Sequence, residues 1–171
     1  MNTVEGSSSI SDKNGNLLLY TDGKTIWNKN HNVIEGGDDL HGHSSSTQSG
    51  VIMKKPKSPN IYYVFTVDAQ EYGLEGLEYA EVDVTANDGN CKVISKHNML
   101  LKDATEKITG VVHKNGHDFW VVTHRWESNE FHAFLVTEKV GSKEKSAKGS
   151  CKCPILSFKI FKASEEDIFF K

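Results

Sequence analysis

A polar segment at His41–Ser49 carries the densest set of side chains that could bind a ligand. The hydroxyl groups of Ser44 and Ser46 and the amide of Gln48 can each donate and accept hydrogen bonds. If the strand that follows lines a central channel, these three groups are candidate ligand-binding groups. The alternative is that small hydroxyl residues fill a narrow channel and satisfy neighbouring backbone groups, and we favour that alternative.

Two histidines of the same segment, His41 and His43, share a face if the chain is extended. Imidazole nitrogens bind transition metals, and Asp38 and Asp39 are close in the sequence. A third ligand would have to come from His31, His113 or His124. Two ligands in a loop are weak evidence for a site, so we predict a structural or solvated role, with no metal and no cofactor.

Two further groups are candidates for ligand binding. Glu106-Lys107 occupies a place comparable to Gln48-Ser49 in the repeat described below, and would bind a polar ligand or complete a hydrogen-bonded ring between units. His124, Arg125 and Trp126 follow the most apolar run. An exposed tryptophan beside an arginine is suited to stacking on a sugar or anchoring a peptide. The alternative, which we favour, is that Trp126 caps the gap between adjacent sheets.

No catalytic constellation is predicted. Nucleophilic catalysis needs a nucleophile paired to a base, and glycoside hydrolysis needs two facing carboxylates. The sequence contains neither a Gly-x-Ser-x-Gly elbow nor a glycine loop of the kind that cradles phosphate. We therefore predict that the chain is not an enzyme.

The elements that must position these residues are three short apolar runs, each closed by a threonine. They are Leu17–Thr21, Ile61–Thr66 and Phe119–Thr123, and a turn-forming group precedes each of them. The threonines at 21, 66 and 123 give a repeat near the roughly 40–50 residues of a β-propeller blade, with a longer second interval. Such runs are expected to be inner strands, buried on both faces between neighbouring sheets.

The predicted fold is all-β. Residues 1–140 are predicted to form a partial WD40- or YVTN-like β-propeller of about three antiparallel four-stranded blades, at approximately 5–40, 47–100 and 106–140. In the second blade, Glu78, Glu81 and Asp83 interrupt the third strand, which predicts an exposed position. Residues 141–171 are a divergent tail, with a flexible loop at 141–149 and a candidate extra strand at 154–160.

The amino-acid composition excludes several classes of protein. The 171 residues carry a net charge of −3, with 37% apolar and 25% charged residues, as in an ordinary soluble domain. The absence of a long basic block argues against nucleic acid as a partner. No apolar run in the sequence approaches the ~18 residues of a membrane span. The first residues do not have the pattern of a signal peptide.

Several strings resemble one family of large Bacteroidetes surface proteins. These proteins carry a type IX secretion (type B) sorting domain and are also described as gliding-motility-associated C-terminal domain proteins. The strings are Glu5–Asp12, Asn14–Gly23, Thr25–His31, His43–Ser49, Thr105–Thr109 and Trp120–Phe131. The resemblance covers roughly residues 3–140. Family members are longer, begin with a signal peptide and end with the sorting domain.

The resemblance implies a non-enzymatic binding or scaffolding segment of a secreted or cell-surface protein, a fragment of a longer chain whose partner is a protein or a glycan. The alternative is part of a glycan-active propeller enzyme whose catalytic carboxylates lie partly outside this segment. Three blades cannot close a ring, so open apolar faces predict self-association, for example a dimer that completes six blades. The apolar residues of the tail would otherwise cover one open face.

Overall fold

The computed structural model of the chain describes residue 1, residues 3–69 and residues 75–148. The described elements are strands and one short turn of helix. They are β1 (Ser8–Ser11), β2 (Leu17–Thr21), β3 (Ile26–Asn28), β4 (Gly50–Lys54), β5 (Ile61–Val67), β6 (Leu77–Asp83), α1 (Ala86–Gly89), β7 (Lys92–Leu101), β8 (Ala104–Val112), β9 (Phe119–Arg125), β10 (Glu130–Val136) and β11 (Val140–Lys148). The predicted all-β class is confirmed.

The strands form three antiparallel sheets in chain order. Sheet A is β1-β2-β3, sheet B is β4-β5-β6-β7, and sheet C is β8-β9-β10-β11. Within each sheet, every strand pairs with the next one along the chain, because the connections inside a sheet are mostly short turns. The first strands of the sheets are neighbours: β4 contacts β1 on one side and β8 on the other.

Turn residues of the predicted type join the first two strands of sheets A and C. At Asn14-Gly15, the Asp12 carboxylate accepts hydrogen bonds from the backbone N–H groups of Asn14 (2.8 Å) and Asn16 (2.9 Å). Gly15 and Gly116 have φ angles of 86° and 74°. A side chain would be strained in that left-handed region, so glycine fits these turns.

Sheet B lies between the other two sheets. Its second strand, β5, is buried at every position from Tyr62 to Val67. Tyr62 and Val64 pack with residues of sheet A, whereas Tyr63, Phe65 and Val67 pack with residues of sheet C. Alternate residues of a strand point to opposite faces, so a strand sandwiched between two sheets must be apolar throughout. The predicted burial on both faces is confirmed for this run, but it is wrong for the other two, since Leu18 and Tyr20 of β2 and Val122 of β9 are only partly buried.

Two separate cores hold the sheets together. The A/B core contains Leu19, Ile26, Ile34, Leu40, Ile52, Tyr62, Val64, Ala80, Val82 and Cys91. The B/C core contains Met53, Tyr63, Phe65, Val67, Leu77, Leu101, Ala104, Ile108, Val121, Phe134 and Val136. The A/B core is mostly aliphatic, and the B/C core is richer in aromatic rings.

Two details of the prediction are wrong. Sheet A has three strands instead of four, because the chain after β3 makes only an isolated bridge between Trp27 and Val33 and then crosses to sheet B, where Glu35 bridges Lys92. The predicted flexible loop at 141–149 is largely strand β11, which pairs with β10. An edge strand is held by main-chain hydrogen bonds and tolerates lysines, so its sequence lacks an apolar pattern. The candidate strand at 154–160 lies outside the described residues.

Candidate functional site

The predicted hydroxyl cluster lies where the N-terminal segment meets sheet B. Ser46 is fully buried, and its Oγ donates a hydrogen bond to the carbonyl oxygen of Val67 (3.0 Å). Ser49 Oγ donates to the carbonyl of Gly6 (2.7 Å). The carbonyl of Ser44 accepts the N–H of Val4 (2.9 Å). These contacts satisfy backbone groups between units, and a ligand-binding role for Ser44 and Ser46 stays a prediction.

Gln48 and Glu106 meet where sheet B is joined to sheet C. The N–H of Gln48 donates to the carbonyl of Glu106 (3.2 Å). The N–H and the hydroxyl of Thr47 each donate to Oε2 of Glu106 at 3.1 Å. Lys107 has an exposed side chain, and its carbonyl accepts the hydroxyl of Thr123 (2.9 Å). Together with the Ser46 and Ser49 contacts, these bonds form a polar seam along the first strands.

The three residues at the end of β9 lie at the surface. The His124 ring packs against Phe131 with a centroid separation of 4.6 Å. Burial lowers the pKa of His124, and a hydrogen bond that its ring donates to the backbone of Ser128 partly offsets this effect. Arg125 Nε lies 3.3 Å from Glu130 Oε2. Trp126 is 47% exposed, so its indole is open to a partner, and its predicted binding role stays a prediction.

A cluster that the sequence did not single out joins His41, Glu78 and His97. The Nδ1 atoms of His41 and His97 lie 3.1 and 3.3 Å from the same carboxylate oxygen, Glu78 Oε2. Their potential ligand atoms all lie within 4.8 Å of one another. Glu78 has only 6% of its side chain exposed, whereas His41 and His97 have 33% and 31%. The prediction that Glu78 is exposed is therefore wrong.

Two backbone contacts hold His41 in place. The N–H of Leu40 donates to the carbonyl of Lys24 (2.9 Å), and the N–H of Gly42 donates to the carbonyl of Gly23 (3.1 Å). A Cβ at position 42 would collide with the Gly23 carbonyl oxygen and lie 2.7 Å from its carbon. Only glycine allows the loop to approach this closely, so His41 is fixed between two anchors.

A β-bulge directs His97 toward Glu78. Tyr79 pairs with Asn98 and Glu81 pairs with Ser95, so two residues, Lys96 and His97, lie opposite the single residue between Tyr79 and Glu81. His97 has a φ angle of 60°. Bulges re-aim side chains, and a left-handed residue other than glycine is strained and is frequently found at functional sites.

The bulge is also tied to the loop that carries His41. Lys96 Nζ donates a hydrogen bond to the carbonyl of Asp38 (2.8 Å). The imidazole rings of His41 and His97 lie 3.9 Å apart between centroids, with a 31° tilt. His41 Nδ1 is buried and makes no hydrogen bond of acceptable geometry, although it is 3.1 Å from the Glu78 oxygen. The two atoms are close, but the angles between them do not allow a hydrogen bond. The contact between His41 and Glu78 is therefore electrostatic.

The paired histidines considered from the sequence do not act together. His43 Nδ1 lies 3.1 Å from the backbone nitrogen of Ser45 and belongs to a local turn. His31 contacts the Tyr20 hydroxyl, at 3.1 Å from its Nδ1. The partners of His41 come from β6 and β7 instead. Among the described residues, His41, Glu78 and His97 are the group suited to hold a metal ion.

No family model matches the chain, and comparisons with curated proteins and with solved structures found no significant match. The functional reasoning therefore depends on the geometry of the described residues. The similarity to type IX-secreted surface proteins stays a resemblance.

Proposed function

We propose that this chain is a non-enzymatic binding and scaffolding segment, formed by three successive sheets of a WD40- or YVTN-like propeller from a secreted or cell-surface protein. The observation that carries the proposal is the order of the first strands. β4 lies between β1 and β8, and each of these strands starts a sheet that continues by hairpins. Inner strands of successive propeller blades have this relation to one another.

The polar seam supports the same proposal. The sequence-predicted residues Ser46, Gln48 and Glu106 all lie along the first strands, where a propeller has its central channel. Their hydrogen bonds link each unit to the next one. Because consecutive sheets are tied at their first strands and packed by a core on each side of sheet B, the described residues form a stack whose two ends they leave open.

The outer face of sheet A is suited to a partner. Leu19 and Ile26 point into the A/B core, so Tyr20 and Trp27 point to the opposite face. Their rings stack at 5.2 Å with an 11° tilt and are only partly buried. Paired aromatic rings supply rigid contact area for a protein or a glycan partner, or for another copy of this segment.

The glycan-active alternative receives less support from the described residues. A cavity of about 420 Å³ is lined by two carboxylates, Asp118 and Glu138. Glu138 is paired to Lys57 at 2.8 Å, and this hydrogen bond lowers the pKa of its carboxyl group. Asp118 accepts a hydrogen bond from the Asn115 amide (2.8 Å). A glycosidase acid needs a raised pKa, so this pair does not favour hydrolysis.

Light scattering after size-exclusion chromatography, over a range of protein concentrations, tests the proposal. We expect mass to rise with concentration, and the double variant Tyr20→Lys/Trp27→Lys to remain monomeric. Ile94→Lys is the matched control, since Ile94 is 55% exposed on sheet B, and it should associate like the wild type. A wild-type chain that stays monomeric at high concentration would contradict the open-ended stack.

A further inference from the structure

We propose that His41, Glu78 and His97 form a binding site for one divalent transition-metal ion, zinc before others, between the loop that follows β3 and the last two strands of sheet B. This inference does not depend on the scaffolding role. It depends on the distances, the burial and the chemistry of these side chains.

The two distances from the histidines to Glu78 fit the edges of a metal coordination sphere, and all three ligand atoms lie within 4.8 Å of one another. Zinc is bound tetrahedrally at about 2.0–2.1 Å by nitrogen and oxygen, which places neighbouring ligand atoms about 3.3 Å apart. The nitrogens of His41 and His97 lie 3.1 and 3.3 Å from Glu78 Oε2. Glu75 Oε2 lies 3.6 Å from His41 Nδ1 and is the nearest further ligand.

The electrostatics of the cluster favour a bound cation. A buried carboxylate is costly unless it is paired, and among the described residues the Glu78 carboxylate contacts the two imidazole nitrogens. Two protonated rings with centroids 3.9 Å apart would repel each other. One divalent ion bound by all three groups neutralises the carboxylate and leaves both imidazoles neutral.

The hydrogen bonding of the His41 Nδ1 atom gives a second argument for a ligand. This atom is buried and makes no hydrogen bond among the described residues. Buried polar atoms in folded proteins are nearly always bonded. A metal ion placed among the three side chains would use this nitrogen without requiring it to donate a proton to Glu78.

The ligand atoms of the cluster indicate which metal ion would bind. Two imidazoles and one carboxylate suit zinc and its neighbours in the transition series, whereas calcium and magnesium prefer oxygen ligands. Glu75 has 51% of its side chain exposed and can move to complete a closed site. The bound ion would then connect the loop from sheet A to β6 and β7 of sheet B.

Titration calorimetry on the full chain, first treated with a chelator, tests the site with zinc chloride. We expect one zinc ion per chain. Substituting a residue that only supports a metal ligand typically weakens metal binding about 10–100-fold. His41→Ala and His97→Asn remove ligands, so each should weaken zinc binding by at least that factor. Asparagine is chosen at position 97 because it tolerates left-handed backbone. His117→Ala, which removes an exposed imidazole outside the cluster, should bind zinc like the wild type.

A measurement on the wild-type chain removes any dependence on the folding of variants. Long-range proton–nitrogen NMR should show that zinc shifts the Nδ1 resonances of His41 and His97 and leaves His117 unchanged. Absence of one-to-one binding, binding that survives the His41→Ala/His97→Asn double variant, or coordination through other histidines would overturn the proposal. Calcium chloride in place of zinc should leave these resonances unshifted, and an equal response to calcium would also overturn it.

Discussion

The two interfaces between sheets differ in whether a loop covers the space beside the core. The mostly aliphatic A/B core continues into the loop after β3, which inserts Ile34 and Leu40 and ends at the His41, Glu78 and His97 cluster. In the described part of the chain no comparable loop covers the B/C core, and a groove of about 440 Å³ remains between β7 and β11, lined by Tyr79, Leu100, Phe134 and Glu144 among others.

The difference shows what a connecting loop contributes. Each interface has a contact between a histidine and a glutamate. At the B/C interface, His132 Nδ1 lies 2.7 Å from Glu144 Oε1. Glu144 has 50% of its side chain exposed, whereas Glu78 has 6%. The loop after β3 covers the Glu78 carboxylate and also brings His41 to it as a second imidazole. These two features distinguish the candidate metal site from the contact between His132 and Glu144 at the surface.

The largest expected effect is on the cores. Phe65 is fully buried and faces sheet C, so Phe65→Ala should lower the free energy of unfolding by about 3–5 kcal/mol. Leu19→Ala at the A/B core should cost about 2–5 kcal/mol. Urea denaturation monitored by tryptophan fluorescence measures both. Losses under about 1 kcal/mol for both variants would mean that these cores do not hold the sheets together.

Zinc should strengthen the A/B side alone. At a free zinc concentration 100 times Kd, binding to the folded state should stabilise the chain by about 2.7 kcal/mol. Glu78→Gln should abolish this increment in a thermal melt. Phe65→Leu, which alters the other interface, should retain it, because independent sites contribute additively. A stabilisation by zinc that is equal in Glu78→Gln would show that the ion binds elsewhere.

Two glycine substitutions compare how rigid the contacts are at the two interfaces. Gly42→Ala sets a methyl group against the backbone of Gly23, which cannot move without displacing the loop. We expect a loss of about 2 kcal/mol, within the range for overpacking, together with weaker zinc binding. Gly110→Ala at the B/C side meets the flexible end of Met53 and should cost less. The comparison would fail if Gly110→Ala were the more damaging change.

The smallest expected effect concerns pH. Burial lowers the pKa of His124 from its ordinary value of 6.5, so its stabilising contribution is complete above that value and is lost as the pH falls below it. His124→Gln should therefore lose less stability than the wild type between about pH 7.5 and about pH 5.5. Urea denaturation at the two pH values measures the difference. Equal losses would mean that His124 titrates normally.

The sequence predicted what depends on local pattern. Asn14-Gly15 and Asn115-Gly116 predicted tight turns, and the unbroken apolar run at Ile61–Val67 predicted a strand with sheets on both faces. The division into three antiparallel units followed from these signals. The closure of a propeller and the binding roles of the polar residues stay predictions.

The sequence could not predict what depends on distant partners. Glu78 in an alternating strand indicated exposure, yet it is buried because His41 and His97 reach it from a loop and from a neighbouring strand. The lysines of β11 indicated a loop, yet pairing with β10 is a property of the backbone. In the first unit the predicted fourth strand does not form in sheet A, because the chain after β3 leaves to join sheet B.

The extra residue in β7 has a consequence for how this site could arise or disappear. Removing either Lys96 or His97 would leave one residue opposite Ala80, so Asn98 and Ser95 would keep their partners while the bulge that directs His97 toward Glu78 would be lost. Substitutions alone cannot reproduce this arrangement on a strand of ordinary length. A relative that lacks this residue of β7 would therefore lose the bulge that brings His97 to Glu78, and the length of this strand is a better marker of the site than its histidine.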